Sequence, residues 1–214
     1  MIDIENIYIC HWKKLTERKS NLVAHLSEIG IKKYQWVEKY DKDSWNIEEI
    51  QKEYPLIFDN NPLGRKLKWS EISLTLKHSW IIKDSFEKEY DDVLVFEDDV
   101  ILHPNFIEYF NLFKTQIPKD WDIVWIGSCC NLHAPYTEGK YFYKADGSRC
   151  THTFMLSKSC VNKIVNEVSN INDGSDFYYN FLIKKYNLNN YWMEPVLSYQ
   201  NTNYKTTIQN NILY

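Results

Sequence analysis

The chain has 214 residues, with 25 Lys and Arg against 29 Asp and Glu and a formal net charge of -4 at pH 7. That length suits one α/β domain with a sizeable core and is short for two. The basic residues are scattered, which argues against a nucleic-acid binder and for a small-molecule partner. No run reaches the roughly 18 apolar residues of a membrane span, and the first residues lack the basic-then-apolar layout of a signal peptide. The sequence therefore reads as soluble and cytoplasmic. Cys10, Cys129, Cys130, Cys150 and Cys160 are odd in number and show no CxxC spacing; they read as reduced core thiols. Eight Trp and sixteen Tyr serve mainly packing.

In chain order, Ile7 to Cys10 predicts a strand, and Leu22, Val23, Leu26 and Ile29 give helical spacing over 17–29. Gly30 stops that helix, and Tyr34 to Glu38 forms a second strand. The opening is thus strand, helix, strand, of Rossmann type. The polar stretch 41–64 reads as irregular apart from a short helix at Ile47 to Glu53. A helix over 70–89 follows, with Ser70 as N-cap and Ile72, Leu76 and Trp80 on one face. It leads into Val93-Leu94-Val95-Phe96, a continuous apolar run of strand formers that predicts a strand covered on both faces. Next come a short aromatic helix over 105–113 and a buried strand over 121–127, where Gly127 marks a turn or a close backbone approach. A strand over 151–156, helices over 158–168 and 177–186, and a polar, loose tail from Asn201 complete the pattern.

The acids Glu97, Asp98 and Asp99 come directly off the end of the apolar strand. In open α/β sheets, ligands gather at the carboxyl ends of strands. Three crowded carboxylates repel one another unless something positive sits among them. A hard divalent ion bridging to substrate phosphates is the usual solution. The competing structural reading makes Asp99 the N-cap of the next helix, with Pro104 in its first turn.

These residues resemble the family 25 glycosyltransferases, the group that includes lipooligosaccharide galactosyltransferases and the procollagen galactosyltransferase type. The family's opening Ile-Asn-Leu-x-Arg strand and downstream Arg are resembled by Tyr8-Ile9-Cys10-His11-Trp12 and Arg18. Its Gly-Glu-Ile-Gly-Cys-x-x-Ser-His helix is echoed by Ser70 to His78, and its Leu-Glu-Asp-Asp-Val element by Phe96 to Val100. Trp121 to Gly127 and Thr151 to Ser157 are similar to later strands, Asp176 falls near a late Asp, and Glu194-Pro195 and Gln200 resemble the close. His11 stands where Asn is usual, and Ser73, Leu74 and Lys77 replace Gly, Cys and Ser. The resemblance implies a GT-A fold, that is, a Rossmann-like α/β domain with a mixed central sheet flanked by helices. It also implies a nucleotide-sugar donor, a divalent cation (Mn2+ or Mg2+) and inversion at the anomeric carbon.

On that basis residues 1–100 are expected to bind the nucleotide, 101–200 to face the acceptor, and 201–214 to form a tail. The expected reaction moves galactose or glucose from a UDP-sugar to a hydroxyl of a glycan or protein side chain. Glu97 and Asp99 form the acid pair for the metal, with Gln200, an Asp or water completing it. Arg18, Glu71, His78, Glu97 and Asp98 are the candidate donor-binding residues. Glu71 and His78 lie seven apart, two turns along one helical face. Asp176 is the candidate base, with Asp173 as the fallback; its structural reading is an N-cap of the helix that follows. Lys13 and Lys14 are weaker phosphate candidates, Trp12 a candidate for stacking on the base, and His152 reads as structural. The rival readings are a metal-dependent phosphohydrolase and a non-catalytic carbohydrate-binding protein. The sequence leaves the oligomeric state open.

Overall fold

A computed structural model describes residues 2–54, 67–127, 137–168 and 173–204, apart from the side chain of Ile47. The chain opens with β1 (Ile7–Cys10), α1 (Thr16–Glu28), β2 (Gln35–Val37), α2 (Ile47–Glu53), α3 (Trp69–Glu87) and β3 (Asp92–Glu97). It continues through β4 (Val100–Leu102), α4 (Phe106–Lys114), β5 (Ile123–Trp125), β6 (Phe142–Lys144) and β7 (Thr153–Ser157). It closes with α5 (Lys158–Ile164), a 3-10 turn (Val165–Glu167), α6 (Ser175–Tyr186), β8 (Asn190–Met193) and β9 (Ser198–Gln200).

Seven strands form one mixed sheet in the order β2-β1-β3-β7-β5-β8-β6, and β4 pairs with β9 in a separate two-stranded sheet. This is the expected α/β class, with helices on both faces. Strand alternation divides the core between the two sides of the sheet. Val93 and Val95 pack with Ile72, Leu76 and Ile81 of α3 and with Tyr179 and Leu182 of α6. Leu94 and Phe96 face the opposite layer, with Leu22 and Leu26 of α1 and Phe106 and Phe110 of α4. Because both faces are covered, β3 reads in sequence as an uninterrupted apolar run rather than an alternating one.

Strand β1 lies between β2 and β3 and runs parallel to both. The chain leaves β1 in one direction, through α1 to β2, and returns on its other side, through α3 to β3. The direction of winding therefore reverses at β1 and β3, and a crevice opens outside their carboxyl ends. In the ladder Cys10 stands opposite Glu97, so both strands finish at the same level and their next residues converge.

Two expectations need correction. Cys10 and Cys160 are free and buried, but Cys150 is disulfide-bonded, so the chain does not carry only reduced thiols; Cys129 and Cys130 lie outside the described residues. The tail is also not loose throughout. Asn201 N–H donates to the Asp99 carbonyl at 2.7 Å, and Tyr204 N–H to the Asn201 carbonyl at 3.3 Å. A turn whose amide is held by the acidic loop is fixed by it; the part of the tail beyond 204 lies outside the described residues. Among the described residues no helix is long and apolar enough to cross a membrane.

Candidate active site

Glu97 is the last residue of β3, and Asp98 and Asp99 form the turn into β4. Asp99 is therefore not a helix cap: the N-cap of α4 is Asn105. The turn forms one wall of a cleft completed by Cys10, His11 and Trp12 after β1, by Leu15 and Arg18 at the head of α1, and by Lys42. Ser70, Ser73, Leu74 and Lys77 of α3 and Gln200 of β9 close it.

The carboxylates are unequally engaged. Both Asp98 oxygens are taken: Oδ2 lies 2.7 Å from His11 Nδ1 and Oδ1 2.9 Å from Arg18 Nη1. Asp99 Oδ2 accepts from Arg18 Nη1 at 3.3 Å and from Gln200 Nε2 at 3.2 Å. Glu97 Oε1 accepts from Thr151 Oγ1 at 2.7 Å. The positive charge expected among the acids is thus supplied in part by Arg18, itself only 7% exposed. Nevertheless, among the described residues Asp99 Oδ1 is buried without a hydrogen-bond partner, as are His11 Nε2 and Ser70 Oγ on the same cleft. Buried polar atoms are normally satisfied, so these three leave bonding capacity around the cleft that a polar ligand could use.

The electrostatics agree. Desolvation, reinforced by the charge of Asp99, pushes the Glu97 carboxyl up to about 8, against the opposing bond from Thr151. Desolvation likewise raises Asp99, while Gln200 and Arg18 pull the other way. Both carboxyls are thus held above their ordinary range chiefly by burial, an effect that nearby positive charge would offset.

Asp176 sits in the first turn of α6, whose N-cap is Gly174, so Asp176 is not the cap. Burial raises its carboxyl, with the charges of Asp173 and Glu71 adding to the effect. A methyl group placed on Gly174 would lie 3.7 Å from Asp176 Oδ1 and 3.8 Å from Glu71 Oε1, so these two acids flank one point at the head of α6. Thr151 links this corner to the cleft, its Oγ1 lying 2.9 Å from Ser175 Oγ, and the Asp176 charge is felt at Glu97. Asp173 is buried and its Oδ1 accepts from the Gly174 amide at 2.8 Å.

The other candidates are dispersed. His78 does not line the cleft. It is fully buried against Phe154 and Tyr179, neither ring nitrogen has a hydrogen-bond partner among the described residues, and burial lowers its pKa to about 3. Glu71 shares its helix but turns toward α6, and its Oε2 accepts from the Lys68 amide at 2.8 Å. His152 is buried beside Ser198, and its pKa is lowered to about 4 by desolvation. Lys14 is drawn to Asp43. The amide of Lys13 donates to Asp41 at 3.1 Å. Trp12 lines the cleft with the Lys42 ammonium 4.0 Å from its ring centroid.

The structure adds residues that sequence reasoning did not single out for the site. Thr151 is one. His11 and Lys77 are others, noted only as departures from the family pattern. Lys77 is buried and donates to Asp41 Oδ1 at 2.6 Å and to the Lys39 carbonyl at 2.7 Å. Only the topology, which lays α3 along β1, shows that this ammonium lines the cleft.

Residues 4–140, more than half of the chain, match glycosyltransferase family 25 (LPS biosynthesis protein). The chain belongs to that family of glycosyltransferases. Solved structures similar to it include a glycosyltransferase involved in the glycosylation of the major capsid of PBCV-1, with 17% identity, a TM-score of 0.41 and coverage of 77% of this chain. The chain spans 64% of that enzyme's length. Mannose-1-phosphate geranyltransferase from Thermus thermophilus shares 10% identity with a TM-score of 0.48, covering 88% of this chain and 72% of its own. Mouse xyloside xylosyltransferase 1 in its apo form shares 14% identity with a TM-score of 0.41, covering 86% and 70%. No curated protein matches the chain.

Proposed function

We propose that the protein is an inverting glycosyltransferase that moves a hexose, galactose or glucose, from a UDP-sugar to a hydroxyl of a glycan or protein side chain. A divalent cation, Mn2+ or Mg2+, assists. The observation that supports this most is the acidic turn itself. It stands at the reversal point of the sheet, contacts Arg18, and retains an orphaned buried oxygen on Asp99.

Among the described residues no group of three or more His, Cys, Asp or Glu is arranged to hold a metal ion. The donor set still suits one that arrives with its substrate, because such ions use one or two carboxylates and take further oxygens from phosphate and water. Asp99 through Oδ1 and Glu97 would hold it, with Gln200, whose amide donates to Asp99 Oδ2, as the further candidate. When bound, it would spread the negative charge that collects on the departing diphosphate.

The protein's own groups account for the rest. Arg18 presents a guanidinium suited to phosphate oxygens. Asp98, occupied on both oxygens, ties the ends of β1 and α1 to the acidic turn and so fixes Arg18. Asp176, raised by burial, has the proton affinity of a general base. The acceptor oxygen bonds to the anomeric carbon and its proton passes to Asp176. The bond from that carbon to the diphosphate oxygen breaks, and UDP leaves on the opposite face.

A screen of UDP-sugars by thermal shift, with and without Mn2+, followed by a transfer assay, tests the proposal. A ligand of the folded form raises its melting temperature. Asp99→Ala is expected to abolish Mn2+-dependent UDP binding and transfer while leaving the fold intact; unchanged affinity and turnover in that variant overturn the site. Consumption of UDP-sugar with no acceptor product in any screen would favour a phosphohydrolase.

A further inference from the structure

The segment that follows β9 reaches back across the sequence to hold two members of the cleft at once. Val100 pairs with Gln200 in the two-stranded sheet, the Gln200 amide donates to Asp99 Oδ2 at 3.2 Å, and the Asn201 amide donates to the Asp99 carbonyl at 2.7 Å. Three residues on, the ring of Tyr204 lies over the guanidinium of Arg18, with Cζ 4.9 Å from the ring centroid. The Tyr204 hydroxyl accepts from Asn21 Nδ2 at 2.8 Å, and Asn21 stands one helical turn beyond Arg18 on α1.

Behind the guanidinium is a second cavity of about 130 Å3, bordered by Asn21, His25, Asn201 and Tyr204 as well as by Arg18 and Asp98 themselves. The Arg18–Asp98 pair is therefore a partition between two hollows. Asp98 and Asp99 hold Arg18 through Nη1 alone among the bonds described, and a long side chain with space on both sides still has rotamers to lose. A ring stacked on the guanidinium removes the alternatives before any ligand arrives, which improves affinity by preorganisation.

We propose that Tyr204 is a positioning residue for Arg18, so that the segment after β9 completes the diphosphate-binding half of the cleft. The inference rests on the reading that this cleft takes a nucleoside diphosphate, and it goes further by assigning a role to a residue in the tail.

The test is a double-mutant cycle on the full chain, using UDP with Mn2+ as the probe in calorimetric titrations. Tyr204→Leu is expected to weaken UDP binding roughly three- to tenfold, the range of a cation–π contact in a partly desolvated setting. Tyr204→Phe, which keeps the ring and loses only the Asn21 bond, restores most of the affinity. In an Arg18→Gln background, Tyr204→Leu adds no further loss, whereas a general structural effect would add in full. UDP binding by Tyr204→Leu equal to wild type, or an undiminished loss in the Arg18→Gln background, overturns the proposal. The same four proteins compared by urea unfolding need no ligand: non-additive stabilities support the Arg18–Tyr204 coupling, and strictly additive ones overturn it. Failure of the wild-type protein to bind UDP, with that coupling present, would remove the diphosphate reading and leave the positioning of Arg18 by Tyr204 supported.

Discussion

Thr151 stands between Glu97 and Ser175, its hydroxyl donating to the Glu97 carboxylate at 2.7 Å and lying 2.9 Å from Ser175 Oγ. One side chain thereby joins the carboxyl end of β3 to the first turn of α6, where Asp176 follows. Thr151→Val keeps the shape and removes the hydroxyl. It should cost about 1–3 kcal/mol of stability, since two hydrogen bonds go and one of them is to a carboxyl group. Transfer should fall roughly tenfold, as expected when a positioned group shifts within a site. Urea unfolding and steady-state kinetics check the two effects separately.

The raised Glu97 carboxyl makes the stability of the ligand-free protein depend on pH. Its pKa rises from the ordinary 4.5 to about 8 on folding. Between those values the folded state binds the extra proton, so the contribution of Glu97 to stability is fully present below about 4.5 and is lost as pH climbs through about 8. Glu97→Gln should flatten this decline. Melting temperatures from pH 5 to 8 provide the comparison, and an identical slope in wild type and variant would remove the assignment to Glu97. Addition of Mn2+ and UDP should also reduce the slope, because a bound cation favours the ionised form.

Asp176→Asn is nearly isosteric and retains an oxygen for the Phe177 amide, which donates to Asp176 Oδ1 at 2.9 Å. If Asp176 takes the acceptor proton, the variant should lose between 10²- and 10⁴-fold in kcat, the usual contribution of a general base. Its UDP affinity should stay within a factor of about three, since a group that acts only in the transition state contributes little to ground-state binding. A loss of affinity matching the loss of kcat would instead assign Asp176 to donor binding.

Gly127, two residues beyond β5, bridges to Ser198 of β9, the strand that carries Gln200. A Cβ at that position would lie 2.1 Å from Ser198 Oγ, 2.5 Å from His152 Nε2 and 2.8 Å from the Ser198 carbonyl. The last is backbone and cannot move without displacing β9. Gly127→Ala should therefore destabilise by about 1–3 kcal/mol, as overpacking does, and should weaken UDP binding through Gln200 and Asp99. Thermal unfolding and UDP titration measure the two effects.

Much of this architecture is legible in the residues themselves. Val93 to Phe96 declares a strand covered on both faces, Gly30 ends α1 with φ at +87°, and the helix read at Ile47 to Glu53 is α2. Gly127 reads as a close backbone approach, and Ser198 is what approaches. Strands β4, β6, β8 and β9 are three or four residues long, too short to carry a period of their own, and are specified by their partners. The same holds at the site. Acids at a strand end announce themselves, whereas Thr151 is an ordinary polar residue until antiparallel β7 brings it alongside Glu97. Arg18, in a polar helical turn, resembles any solvated arginine. His78 shows the converse: its place in a motif-like helix suggests a binding role, but its helical phase turns it into the core against Phe154.

The pairing of β4 with β9 also sets an order of events during synthesis. Gln200 meets Asp99 across 101 positions of sequence, and Tyr204 meets Arg18 across a still longer span. A nascent chain leaving the ribosome carries β1, α1 and β3 before β9 and the turn after it have been made, so the acidic turn is first without the contacts of Gln200, Asn201 and Tyr204. On the proposed function, the cleft would be ready for nucleotide only once the turn at Asn201 to Tyr204 has joined Asp99 and Arg18.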